Sequence, residues 1–269
     1  MHVMQTHPLP ILRLDAAAVS DRGLKRLTNE DSVLCDPLLG LFAVADGMGG
    51  HASGEVASRL AIDTVHHWWR KAWQRGLMQE LDRPTHLQLL GESILAANQA
   101  VIRRSHSCDL FAGMGTTLLV AVLHEMTLHY AHVGDSRLYR FRDDQLSLLT
   151  RDHTVAQWRL DLGLCTEAEA RASSGAHRLT RAIGMDVDCD VTLAECQCEL
   201  GDGFLLCSDG LNHELDDAQI AKEWRDAVHR EDSADSFCRQ LVEEANRAGG
   251  RDNVSVLVLH LRAKTEPTN

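Results

Sequence analysis

The stretch LFAVADGMGGHASGEVAS, residues 41–58, decides how this chain is read. An apolar run stops at Asp46, the glycines Gly47, Gly49 and Gly50 follow, and a helical pattern begins a few residues on. Such a loop can cradle phosphate with backbone N–H groups, hold a metal, or simply turn the chain. The phosphate cradle fails on detail. The chain has no GxxxxGK[ST], and GMGG is not the spaced GxGxxG of a dinucleotide fold, the two spacings that wrap N–H groups around a phosphate. Nothing resembles a Ser or Cys nucleophile elbow.

Outward from this stretch, residues 54–73 place Val56, Leu60, Ala61, Val65, Trp68 and Ala72 near helical spacing, with Ser53 as a candidate N-cap. Residues 86–105 repeat the pattern through Leu87, Leu90, Ile94, Ala97 and Val101. Strand signals follow. Residues 116–124 and 127–133 flank Glu125-Met126, and residues 136–142 and 145–150 flank Asp143-Asp144, which reads as two hairpins. Further apolar runs lie at 40–45, 203–208 and 254–261; residues 216–247 read as two helices. A charged, weakly patterned region over 153–184 interrupts the strands, with helical character around TEAEARA. Hairpins outnumber β-α-β units, so the expected class is α+β, with antiparallel sheets covered by helices.

Composition narrows the function. A chain of 269 residues, 44% hydrophobic, buries one sizeable core, and five prolines with no repeat give no sign of a linker. A formal charge of −12 argues against a nucleic-acid partner, because phosphate backbones attract clustered Lys and Arg. No segment approaches the roughly 18 apolar residues that span a membrane, and the N-terminus does not read as a signal peptide. Eight cysteines without a CxxC pair, several inside apolar runs, read as free thiols in a reducing cytoplasm. Cys196 and Cys198 read as ordinary strand residues rather than half a metal site.

The carboxylates carry the chemistry. Asp46 closes the run FAVA and precedes Gly47; Asp209 closes FLLCS and precedes Gly210; Asp252 stands just before VSVLVL. Asp135 lies in HVGDSR between two strands, and Glu30 and Asp31 sit just before a short apolar run. One Asp at a strand end is usually a turn residue. Several of them at the ends of stacked strands converge, repel one another, and suit hard cations such as Mg²⁺ or Mn²⁺ that take oxygen ligands. A glycine after the Asp lets a backbone carbonyl approach a metal closely. Arg26, four residues before Glu30, suits a bidentate grip on phosphate.

The ordered set RLTNEDS (26–32), FAVADGMGGHASGEVAS (42–58), GMGTTLLVA (113–121), HVGDSRLYRFR (132–142), DHT (152–154), LTRAIG (179–184), LLCSDGL (205–211) and RDNVSVLVL (251–259) resembles the metal-dependent protein phosphatases of type 2C, the PPM family, in its bacterial form. The resemblance implies a four-layer α-β-β-α sandwich over residues 15–262, a flap at about 153–184, an N-terminal extension (1–14) and a tail (263–269). It implies two Mn²⁺ or Mg²⁺ ions: Asp46 bridging both, the Gly47 carbonyl on the second, and Asp209 and Asp252 on the first. Glu30 and Asp31 resemble residues that hold metal-bound waters, Arg26 the phosphate-binding arginine, and Asp135 the residue that shares a weaker third metal with Asp209. The implied reaction is attack of a bridging hydroxide on phosphoserine or phosphothreonine of proteins, with no phosphoenzyme. The implied setting is a cytoplasmic monomer opposing a Ser/Thr kinase.

Met48 stands where eukaryotic members often carry a His proposed as general acid. His51 reads instead as a structural residue at the start of the following helix, and His153 is one option for the leaving-group proton beside a metal-bound water. Two other readings keep the fold: a phosphatase of anti-sigma antagonist proteins, and an inactive phosphoprotein-binding member. The latter should have lost metal carboxylates, yet Asp46, Asp209 and Asp252 are all present.

Overall fold

The structure is a computed structural model, and it describes residues 12–49, 53–75, 83–173 and 175–263. The chain opens with β1 (Leu12–Asp21), β2 (Asp31–Asp36) and β3 (Leu41–Met48), then crosses into the helices α1 (Ser53–Gln74) and α2 (Arg83–Ser105). The short β4 (Gly115–Thr116) leads into β5 (Leu118–His124), β6 (Thr127–Val133), β7 (Arg137–Arg142) and β8 (Gln145–Leu148). Two short helices, α3 (Val155–Asp161) and α4 (Glu167–Ala172), precede β9 (Thr192–Gln197) and β10 (Gly203–Cys207). The chain then runs through α5 (Asp209–Asn212), α6 (Asp217–His229), α7 (Ala234–Ala248) and β11 (Val254–Ala263).

The strands form two sheets, in spatial order β1-β11-β10-β7-β8 and β2-β3-β5-β6-β9, with β4 extending the end of β3. Every pairing is antiparallel. Three buried layers separate four layers of structure. Leu41, Ala43 and Ala45 of β3 pack with Ala61, Val65 and Trp69 of α1 and Ile94 of α2. Phe42 and Val44, the alternate residues of β3, pack with Leu206 and Leu257 of the opposite sheet. On the far side, Val256 and Val258 of β11 meet Trp224 of α6 and Phe237 of α7. A strand buried on both faces needs an unbroken apolar run, which is why FAVA and VSVLVL show no alternation with polar residues. The expected α-β-β-α sandwich is therefore observed.

The hairpins form as the turn residues predict: Asp143 and Asp144 adopt φ of 50° and 60°, the left-handed pair that joins twisted antiparallel strands. Helix α6 starts with a capping box, Asp216 accepting from Gln219 N while the Gln219 side chain returns to Asp216 N. The expected helix around TEAEARA is α4, capped likewise by Thr166 and Glu169.

The start of α1 at Ser53 coincides with the edge of the described residues, so the expected cap lies at that edge. Two details depart from expectation. Of the expected α1 stripe, Ala61, Val65 and Ala72 are buried while Val56, Leu60 and Trp68 are only partly buried; Ala57 and Trp69 join the buried face instead. Strand β1 was not legible as a strand, yet it pairs with β11 along its whole length, Leu12 with Ala263 through Asp21 with Val254. All eight cysteines are free thiols. Among the described residues no helix is long and apolar enough to cross a membrane.

The layer between the sheets should dominate stability. Leu257→Ala, in that fully buried layer, is expected to cost about 2–5 kcal/mol by urea unfolding. Leu38→Ala, on a residue 91% exposed, should stay within about 0.5 kcal/mol.

Candidate metal centre

The layer between the sheets changes character at one edge, and it does so in register. Alternation along β3 continues Phe42 and Val44 into Asp46; along β2 it runs from Val33 back to Asp31. From the opposite sheet, Phe204 and Leu206 lead to Ser208, and Leu259 and Leu257 lead to Ser255. Asp31 and Asp46 are direct partners across the β2–β3 ladder. Ser208 Oγ donates to Asp31 Oδ2 at 2.7 Å, a bond that crosses from one sheet to the other, and Ser255 N donates to Ser208 Oγ at 3.0 Å. Thr117 Oγ1 accepts from Asp46 N at 2.9 Å, and Thr116 Oγ1 donates to Asp46 O at 2.9 Å. The Asp46 backbone is thereby clamped where the apolar run ends.

The loops bring in the remaining groups. Asn253, nearly fully buried, accepts from Glu30 N at 2.9 Å and donates to Arg22 O and Thr28 O at 2.8 and 2.9 Å. One side chain thus holds the whole RLTNE loop against the start of β11. On that loop, Arg26 Nη2 donates to Asp252 Oδ2 at 2.6 Å while its side chain stays half exposed. The two Asp-Gly glycines are required by close backbone approach. A Cβ on Gly47 would lie 2.1 Å from Gly54 O and 2.6 Å from Glu30 O; one on Gly210 would lie 1.9 Å from Asn253 O. Asp209 and Asp252 are pinned side by side because only glycine lets α5 sit on the Asn253 backbone.

Asp31, Asp46, Asp135, Asp209 and Asp252 therefore gather at one edge, with Glu30 and Arg26 beside them. Burial pushes the Asp31 carboxyl up to about 7, against hydrogen bonds from Ser255 and Ser208 that favour its charge, and the charges of Asp209 and Asp252 push further. Burial, then Asp31 and Asp209, raise Asp46 well above the ordinary carboxylate range. Asp135 is raised by burial, Asp209 and Asp152. Asp31 Oδ1 and Asp209 Oδ1 are buried oxygens with no hydrogen-bond donor. Lone pairs without donors, on crowded carboxylates that resist ionising, fit divalent cations bound through oxygen.

Beyond Asp209 and Asp135 opens a cleft of about 620 Å³, walled on one side by α3 and α4. Those helices lie within the expected flap, which is tied down by bridges pairing Thr154 with Leu179 and Thr116 with Ile183. Arg137 grips Asp152 through Nε and Nη2 at 2.7–3.2 Å, bracing β7 against the start of the flap. His153 anchors the same segment. Its Nδ1 accepts from Gly134 N at 3.1 Å, its Nε2 lies 3.0 Å from Thr192 Oγ1, and it stacks on His132. Burial pushes its pKa down to about 3, so it carries no acidic proton at neutral pH. Met48 stands at the end of β3, and His51 lies outside the described residues.

Sequence reasoning missed the residues that hold the carboxylates: Ser208, Ser255, Asn253, Thr116 and Thr117. It also missed His213, whose ring lies 3.6 Å from Asp209 and within the same 4.8 Å constellation as Asp252. The signal was its place four residues after Asp209, one helical turn on.

Fold and site together define a sandwich whose acidic edge is built for cations. The family model described as protein phosphatase 2C matches residues 25–248, and the chain belongs to that family. The serine/threonine protein phosphatase PstP of Mycobacterium tuberculosis is 39% identical over 248 residues, 92% of this chain and 45% of that protein. The chain thus spans about half the length of that relative. A protein of Streptococcus pyogenes described as a putative protein phosphatase 2C-type is 32% identical over 244 residues, covering 90% of this chain and 95% of the relative. The crystal structure of the PstP catalytic domain with two manganese ions superposes with a TM-score of 0.78 at 36% identity, over 93% of this chain and 99% of that one.

The raised pKa of Asp31 gives a pH signature for the metal-free protein. Its folded value of about 7 exceeds the unfolded value of about 3.9, so the folded state holds the extra proton between them and this group's stabilisation is lost as pH rises through 7. In EDTA, Asp31→Asn should melt higher than the parent at about pH 8, with the gap closing near about pH 4. A gap that does not vary with pH contradicts the assignment.

Proposed function

We propose that this chain is a metal-dependent phosphoprotein phosphatase that hydrolyses phosphoserine and phosphothreonine on proteins. The observation that carries the reading is the in-register convergence of Asp31, Asp46, Asp209 and Asp252, with Arg26 at the rim. The phosphatase names of the family relatives support it. In this reading Asp46, the Gly47 carbonyl, Asp209 and Asp252 hold two Mn²⁺ or Mg²⁺ ions, and Asp135 with Asp209 takes a weaker third. When bound, the ions lower the pKa of an attacking water and offset phosphoryl charge. Glu30 and Asp31 accept hydrogen bonds from the surrounding waters. Arg26, with one guanidinium nitrogen on Asp252 and the side chain half exposed, presents its charge to the phosphate oxygens and orients the group for in-line displacement. Met48 carries no titratable group and burial keeps His153 uncharged, so in this reading the proton for the departing Ser or Thr oxygen is assigned to water.

The setting follows the same reading: a bacterial cytoplasmic monomer that opposes a Ser/Thr kinase in signalling. The catalytic domain covers residues 15–262 with a flap at about 153–184, and the pairing of Leu12 with Ala263 supports edges a few residues further out.

Hydrolysis of p-nitrophenyl phosphate and of a phosphothreonine peptide should require Mn²⁺ and stop with EDTA; activity indifferent to EDTA defeats the reading. Asp209→Ala should lower kcat/KM roughly a thousandfold, and Arg26→Ala about tenfold to a hundredfold. Asp135→Ala should lower turnover while Mn²⁺ affinity by calorimetry changes less than in Asp209→Ala. Equal affinity losses contradict the split between tight and weak sites.

A further inference from the structure

We propose that His213 is a nitrogen ligand of the cation held by Asp209 and Asp252, and that His177 of the flap orients it. The proposal rests on the phosphatase reading for the cation and adds a donor that the acidic motifs do not contain.

Helix α5 is the origin of the geometry. His213 N donates to Asp209 O at 2.8 Å, so the two side chains stand one turn apart on the same face. His213 Nδ1 lies 3.6 Å from Asp209 Oδ2, and donor atoms of Asp209, His213 and Asp252 all lie within 4.8 Å of one another. A separation of 3.6 Å is too long for a hydrogen bond. It is close to the spacing of two donors on one ion, since metal–ligand bonds of about 2.1 Å place neighbours about 3.0–3.5 Å apart. Asp31, buried beside Asp209 and Asp252 with Oδ1 lacking a donor, marks the same spot as deficient in positive charge.

The other ring nitrogen is engaged by the flap. His213 Nε2 lies 3.2 Å from His177 Nδ1, and the two rings meet edge to face at 4.6 Å. With Nδ1 bare toward the cation, Nε2 carries the proton and donates it to His177. Metal-bound imidazoles are oriented in this way by a partner on the far nitrogen. His177 belongs to the segment that walls the cleft, so the flap reaches the ion through two rings. An imidazole donor also biases the site toward Mn²⁺ and Zn²⁺ over Mg²⁺, which prefers oxygen.

Pulsed EPR of the Mn²⁺-loaded full chain tests this without reference to turnover. The parent should show ¹⁴N modulation from a bound imidazole, His213→Ala should lose it, and His177→Ala should keep it while Mn²⁺ affinity falls roughly tenfold. Mg²⁺ affinity should be nearly unchanged in His213→Ala. A parent that binds Mn²⁺ and hydrolyses phosphopeptide with no ¹⁴N modulation overturns the His213 ligand and leaves the phosphatase reading standing. Modulation that survives in His213→Ala overturns it equally, and unchanged Mn²⁺ affinity in His177→Ala removes the orienting role. A chain that binds no Mn²⁺ brings down both readings together.

Discussion

Asp31 and Asp46 face each other across an antiparallel ladder, and the rest of the molecule is arranged around that pair. Like charges directly opposite in a sheet are destabilising, and these two are also shielded from water. A fold can hold such a pair by supplying donors or cations, or by keeping a proton on it. Here the donor to the carboxylate comes from the opposite sheet, Ser208 to Asp31, while Thr116 donates to the Asp46 carbonyl and Thr117 accepts from the Asp46 N–H, fixing that backbone. Among the described residues, positive charge near this edge comes from Arg26, half exposed and already paired with Asp252, and from Arg137, already paired with Asp152. The shortfall is what makes the edge a cation site.

The edge can remain unfavourable because three apolar layers hold the strands elsewhere. β3 contributes to two of them, with Ala43 packed on the helices and Val44 on the other sheet. Slipping β3 by one residue would turn Phe42 and Val44 toward α1 and Asp46 away from Ser208, so apolar packing fixes the register that the carboxylates alone would resist. The close approaches at Gly47 and Gly210 do the same for the loops, since any side chain there would displace Asp46 or Asp209.

Much of this was legible in the sequence, for identifiable reasons. Runs buried on both faces announce themselves without alternation, so β3, β5, β10 and β11 were readable, and an Asp that ends such a run marks the edge. Strand β1 was not readable because LRLDAAAVSD is rich in alanine, a good helix former, and becomes a strand only by pairing with β11. Part of the α1 stripe was misplaced because Trp68 and Trp69 compete on hydrophobicity, and only packing against β3 selects Trp69. Ser208 and Ser255 escaped notice because a serine at a strand end looks like a turn residue until the facing sheet supplies Asp31.

His213 shows where local pattern and tertiary structure divide. Its distance of four residues from Asp209 is visible in SDGLNH, but exposed histidines on short helices are common and the spacing alone carries little weight. Its meaning depends on Asp252, which arrives from the start of β11, and on His177, which arrives from the far end of the flap. Nearly forty residues of chain separate the two rings, and no periodicity links them. The acidic residues proposed to hold the ions are written into strand ends, where burial of the run makes them conspicuous. A nitrogen donor on a loop-like turn is specified only by what folds against it.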